Sequence, residues 1–184
     1  MLHMEQKDYK MEIILELLRG EGHVRGIAKA LETNHMTISR KMKELSKQNV
    51  VDYQEKGKNK SYFLKKTSET LASIFMAENY KLLRFLEKYP SLRGIIEKIQ
   101  KNSKIKLSLL FGSYAKELAK QESDIDIYLG GDKKLKQEIE SLDSRLSVKI
   151  GEFSTDSLLI KEIIKNHVII KGVEDYYEKI RFFS

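Results

Sequence analysis

The sequence predicts a two-domain chain of the α+β / α/β class. Its front half is helical and closed by a β-hairpin, and its rear half alternates strands and helices into a small mixed sheet. Three observations carry this reading. The hydrophobic period changes near residue 104, from helical spacing to strand-like runs. The charge divides at the same place: residues 1–104 hold 21 basic and 13 acidic side chains, a net +8, whereas 105–184 hold 13 and 14, a net −1. Finally, Gly112-Ser113 is followed, after ten intervening residues, by Asp124-Ile125-Asp126, where one rear strand should end and the next begin.

Composition excludes several classes. The 184 residues suffice for one ordinary domain or two small ones. With no Cys there are no disulfides, thiolate metal sites or cysteine nucleophiles. The four His, at 3, 23, 35 and 167, have no zinc-ligand spacing among them. No apolar run approaches the roughly 18 residues of a membrane span. Met1-Leu2-His3-Met4-Glu5 has no basic-then-apolar leader pattern, so the expected compartment is the cytoplasm and no membrane partner is expected. A net charge of +7 concentrated in the front half points to a polyanion partner, nucleic acid in particular.

The front elements follow in order. Residues 7–19 form an amphipathic helix on Ile13, Ile14, Leu17 and Leu18, ended by Gly20 and Gly22. A short helix over 24–31 turns inward Ile27, Ala28 and Leu31. Asn34 caps a third helix over 35–48, whose Ile38, Met42 and Leu45 make an apolar stripe. Val50–Gln54 and Ser61–Leu64 then flank a Gly- and Lys-rich loop, a hairpin with a basic tip. Residues 67–89 read as a long helix stopped by Pro90, and 91–101 as another.

The rear elements are strands at 105–111, 124–129, 147–153 and 167–170, with helices over 133–146 and 155–166 between them. Residues 174–178 read as a solvated helix face, and His167 as a structural residue on an apolar strand. The domain limits expected are 1–66, a helical linker over 67–103, and 104–184.

The pattern Ile27–Leu31, Asn34 and Thr37–Leu45, followed by the basic hairpin, resembles the winged helix-turn-helix fold over about residues 5–66. That resemblance implies a third helix entering the DNA major groove and a wing on phosphate or the minor groove. His35, Thr37, Arg40 and Lys41 lie opposite the apolar stripe and are the expected DNA-facing residues. Lys56, Lys58 and Lys60 of the wing would add salt-dependent affinity. The 67–89 helix could pair with its mate in a homodimer or pack on the rear domain; both remain open.

Leu109-Leu110-Phe111-Gly112-Ser113 with Asp124-Ile125-Asp126-Ile127 resembles the minimal nucleotidyltransferases of the DNA polymerase beta superfamily, over about residues 104–172. Carboxylates two apart on a strand project from one face and suit Mg²⁺ carried by a nucleoside triphosphate. Asp124 and Asp126 are thus the expected catalytic and metal-binding residues, and Gly112, Ser113 and Lys116 the expected phosphate contacts.

Two departures stand out. Lys149 falls where the family's third carboxylate is expected, and Ala115-Lys116-Glu117 replaces the usual small-basic-glycine turn. Two readings follow. One is Mg²⁺-dependent transfer of a nucleoside monophosphate from a nucleoside triphosphate to a protein, RNA or small-molecule hydroxyl. The other is a DNA-binding transcriptional regulator whose rear domain is catalytically degenerate, and senses nucleotide or binds a partner.

Overall fold

In the computed structural model, residues 7–57 and 59–183 are described. The chain divides into two compact units, residues 1–80 and 81–184. The segment expected as a linker, 67–103, is therefore shared between them.

In the first unit, α1 (Tyr9–Leu17), α2 (Val24–Ala30) and α3 (His35–Lys47) precede the hairpin of β1 (Val51–Lys56) and β2 (Asn59–Leu64). Side-chain caps set two of the helix starts. The Asp8 carboxylate accepts from the Lys10 N–H, and the Asn34 amide oxygen from that of Met36 at 2.8 Å. The helices bury Ile13, Ile14, Ile38 and Met42 completely. β1 and β2 pair antiparallel, from Val51 opposite Leu64 to Lys56 opposite Asn59. Gly22 and Tyr62 exchange backbone hydrogen bonds, stitching the α1–α2 turn to the wing. This is the winged helix-turn-helix arrangement. The Thr70 hydroxyl, fully buried at the start of α4 (Ser68–Lys88), donates to the Val50 carbonyl at 3.0 Å.

The second unit takes the C-terminal end of α4. A 3₁₀ turn at Pro90–Leu92 leads into α5 (Arg93–Lys101). Then come β3 (Leu107–Phe111), the single turn α6 (Gly112–Ala115), β4 (Ile125–Gly130), α7 (Lys134–Glu140) and β5 (Leu146–Ile150). α8 (Leu158–Lys165), β6 (Val168–Lys171) and α9 (Val173–Lys179) complete it. The sheet order is β5-β4-β3-β6, with β4 and β5 parallel and the other neighbours antiparallel.

Strand alternation gives this sheet two faces. Leu110, Ile127, Val148 and Ile170 pack with Ile96 and Ile99 of α5 in one core. The opposite face carries Asp126, Tyr128, Ser147 and Lys149.

Two expectations are corrected. The helix expected to reach residue 146 stops at Glu140, because the Asp143 carboxylate accepts the Arg145 N–H and its guanidinium, fixing a turn that opens β5. The acidic-aromatic run 174–178 is not merely a solvated face: α9 buries Tyr176 and Tyr177, and Tyr176 stacks edge-on with Phe153 at 6.0 Å. His167 is buried beside Tyr176, its Nδ1 within 2.8 Å of the Ile163 carbonyl oxygen.

Gly172, between β6 and α9, has φ +81°, and a Cβ there would collide with the Lys106 carbonyl. Gly172→Ala should cost about 1–3 kcal/mol of stability. Thermal unfolding followed by circular dichroism should show a drop of roughly 2–4 °C for each kcal/mol lost.

Candidate functional site

The chemistry-bearing part of the rear unit is built where β3 ends. Phe111 pairs with Asp126 across β3 and β4, so the chain turns into α6 beside the carboxylate. Gly112 takes φ +70°, and a Cβ on it would run into the Asp126 Oδ2, with Cγ only 3.1 Å away. Glycine is thus demanded by the carboxylate on the next strand. Asp124 is exposed just before β4, while Asp126 is half-buried within it. The Ile125 N–H between them donates to the Arg145 carbonyl at 2.8 Å, which anchors the start of the strand.

The electrostatics are those of a crowded acid pair. Burial is the main cause that raises the Asp126 carboxyl above its ordinary range, followed by the charge of Asp124. Lys149 and the Ser147 hydroxyl oppose that rise, and Glu162 adds to it. β4 and β5 run parallel with Asp126 opposite Ser147 and Tyr128 opposite Lys149, which puts Lys149 on the acid's face of the sheet. Lys116, at the end of α6, forms an ion pair with Glu162 of α8 at 2.8 Å. The structure therefore brings Gly112, Asp124, Asp126, Lys149 and Glu162 to one end of the sheet, with Ser113 following Gly112 in α6.

Ser147 and Glu162 were not singled out in the sequence. Ser147 was available from alternation, two residues before Lys149. Glu162 lies on a helix whose packing no local pattern reveals. Two carboxylates whose repulsion is only partly relieved suit a hard divalent cation that arrives with a phosphate ligand. Among the described residues, no group of three His, Cys, Asp or Glu side chains could hold a metal ion.

The expected DNA face is only partly as read. α3 exposes His35, Met36, Arg40, Lys43 and Lys47, a stripe opposite Ile38, Met42 and Leu45. Thr37 is half-buried. So is Lys41, and its ammonium donates to Glu44 at 2.9 Å; that bond is the main cause holding the Glu44 carboxyl below its ordinary value. Lys43 and Lys47, outside the sequence expectation, are exposed at the helical spacing of Arg40. In the wing, Lys56 pairs with Glu21 at 2.6 Å, and Gln54 and Ser61 donate to the same carboxylate. Lys60 lies 3.8 Å over the Tyr53 ring. Lys58 lies outside the described residues.

Residues 93–175 match the family model described as "Polymerase beta, Nucleotidyltransferase". Comparison with curated proteins gives no match. Among solved structures, reduced HlyU from Vibrio cholerae is 19% identical, covering 40% of this chain and 78% of its own, at a TM-score of 0.36. The adhesin competence repressor AdcR from Streptococcus pyogenes is 16% identical, covering 52% and 78%, at a TM-score of 0.37. A toxin-antitoxin crystallised with AMP-PNP is 23% identical, covering 58% and 80%, at a TM-score of 0.35. At scores this low the likenesses decide nothing about activity. Among the described residues, no helix is long and apolar enough to cross a membrane.

A carboxyl whose folded pKa is raised contributes stability below its unfolded pKa and loses it as pH rises through the folded pKa. Asp126 therefore burdens the folded state at neutral pH. Asp126→Asn should melt slightly higher than wild type at pH 7, with the difference shrinking toward pH 3 as both states of the wild type protonate. Asp143 behaves oppositely: hydrogen bonds from Arg145 lower it to about 2. Arg145→Ala should return its carboxyl toward the ordinary Asp value, read by NMR titration.

Proposed function

We propose that residues 93–175, which match the polymerase-beta nucleotidyltransferase model, act as such a domain: the chain binds a Mg²⁺–nucleoside triphosphate at Asp124 and Asp126 and transfers its nucleoside monophosphate to an acceptor hydroxyl. The observation that carries this is the Asp126 carboxylate packed on the Gly112 backbone with Asp124 beside it. A glycine turn at a strand end lets phosphates approach main-chain N–H groups, while the neighbouring strand presents the acids.

Asp124 and Asp126 would hold the cation, which when bound screens the triphosphate and orients its α-phosphorus for in-line attack. The chain's own residues do the rest. Gly112 and Ser113 place backbone and hydroxyl donors toward phosphate oxygens. Lys116 keeps its pair with Glu162 and can turn its remaining ammonium hydrogens to a phosphate oxygen, since the pair is partly exposed. In the transfer, the acceptor oxygen bonds to the α-phosphorus, the α–β anhydride bond breaks, pyrophosphate leaves, and the hydroxyl proton passes to solvent.

The front unit supplies the address in this proposal: α3 reads DNA through Arg40, Lys43 and Lys47, with His35 at its start. Lys56 and Lys60 play a smaller part than their charge implies, because Glu21 and Tyr53 already engage them. A second reading is favoured by one observation, the ammonium of Lys149 on the acid's face. In it the domain binds nucleotide without turnover, and DNA binding is the output.

Incubation with α-³²P-labelled nucleoside triphosphates and cell extract should label an acceptor. Asp124→Asn or Asp126→Asn should reduce that labelling at least 100-fold; transfer that survives both would exclude this site. For DNA, Lys43→Ala should weaken binding and lower the salt slope by about one unit, as for one lost phosphate contact. Lys41→Ala should do little. The reverse order in a fluorescence-anisotropy titration would displace the assigned face.

A further inference from the structure

We propose that this site takes one divalent cation rather than two, and that the Lys149 ammonium supplies the second positive charge at the nucleotide's phosphates. The proposal rests on the nucleotide-site reading above and concerns how the triphosphate is held.

Ser147 stands opposite Asp126 and Lys149 opposite Tyr128 on parallel strands, so Lys149 is the diagonal neighbour of Asp126 on one face. Val148, between them in sequence, is buried on the other face. Lys149 is exposed and its charge acts on the Asp126 carboxylate. A four-carbon stem is long enough to reach along a diagonal of this kind toward the acids.

A single hard cation needs only one or two carboxylates when phosphate and water complete its shell, and Asp124 with Asp126 meets that need. A second cation would require a further acid on β5, the next strand. On this face β5 offers the Ser147 hydroxyl and the Lys149 ammonium. The other acids nearby do not fill the gap. Glu162 is held by Lys116 at 2.8 Å, and Glu152 lies beyond the end of β5, where its charge acts on Tyr128. No group of three acids or histidines able to hold a metal ion occurs among the described residues. An ammonium also repels a dication brought beside it while attracting phosphate oxygens, so it excludes the second ion and replaces its charge.

The test uses the full chain, Mn²⁺ as the cation and α,β-methylene-ATP, which cannot release pyrophosphate. Free Mn²⁺ is counted by electron paramagnetic resonance at saturating analogue. The expected result is one bound ion per chain in wild type and two in Lys149→Asp, with circular dichroism confirming that the variant is folded. Lys149→Gln, a milder change, should still bind one ion and should bind the analogue about tenfold more weakly. Two ions in wild type, or unchanged analogue affinity in Lys149→Gln, would overturn the proposal while leaving the nucleotide site standing. No bound ion and no bound analogue would remove the nucleotide site itself.

Discussion

The rear unit is organised around a carboxylate resting on a glycine. Asp126 sits within β4 with its side chain against the Gly112 backbone, and Gly112 holds a left-handed φ at the point where β3 turns into α6. Any side chain at 112 would displace the acid or the turn. The antiparallel register that sets Phe111 opposite Asp126 is therefore fixed by the site as much as by the core. The sheet's other face makes the register affordable, because Ile127, Leu129 and Val148 bury against α5 and α7 and tie the strands down.

That arrangement is unfavourable for folding taken alone. A half-buried acid next to a second acid, with Glu162 adding to the repulsion, is charged against its environment. Such strain is expected where a ligand completes the electrostatics. Lys149 and Ser147 relieve part of it, and Lys116 ties up Glu162. The same logic runs through the front unit on a smaller scale. Glu21 gathers Lys56, Gln54 and Ser61, which shapes the wing but takes a lysine out of contention for phosphate.

Much of this was legible from residue patterns, and the reasons are specific. The Ile38/Met42/Leu45 stripe and the Asn34 cap placed α3 to within a residue, because both signals are local. The Gly112-Ser113 and Asp124-x-Asp126 spacing anticipated the glycine turn that lies against the Asp126 strand, because a turn and a two-residue period leave little freedom. The end of α7 was missed: the Asp143–Arg145 turn overrides helical propensity through side-chain hydrogen bonds. Glu162 and Glu21 were missed because their partners lie far along the chain, and the burial of Tyr176 and Tyr177 because charged neighbours masked them.

The central claim is that Asp126, seated on Gly112, is half of a cation–triphosphate site. Calorimetric titration of Mg-ATP, then of the other Mg-nucleoside triphosphates, into wild type and Asp126→Asn tests it most directly. The account predicts saturable binding of at least one nucleotide in wild type and its loss in the variant. Equal binding by the two proteins, or none by either, would contradict it.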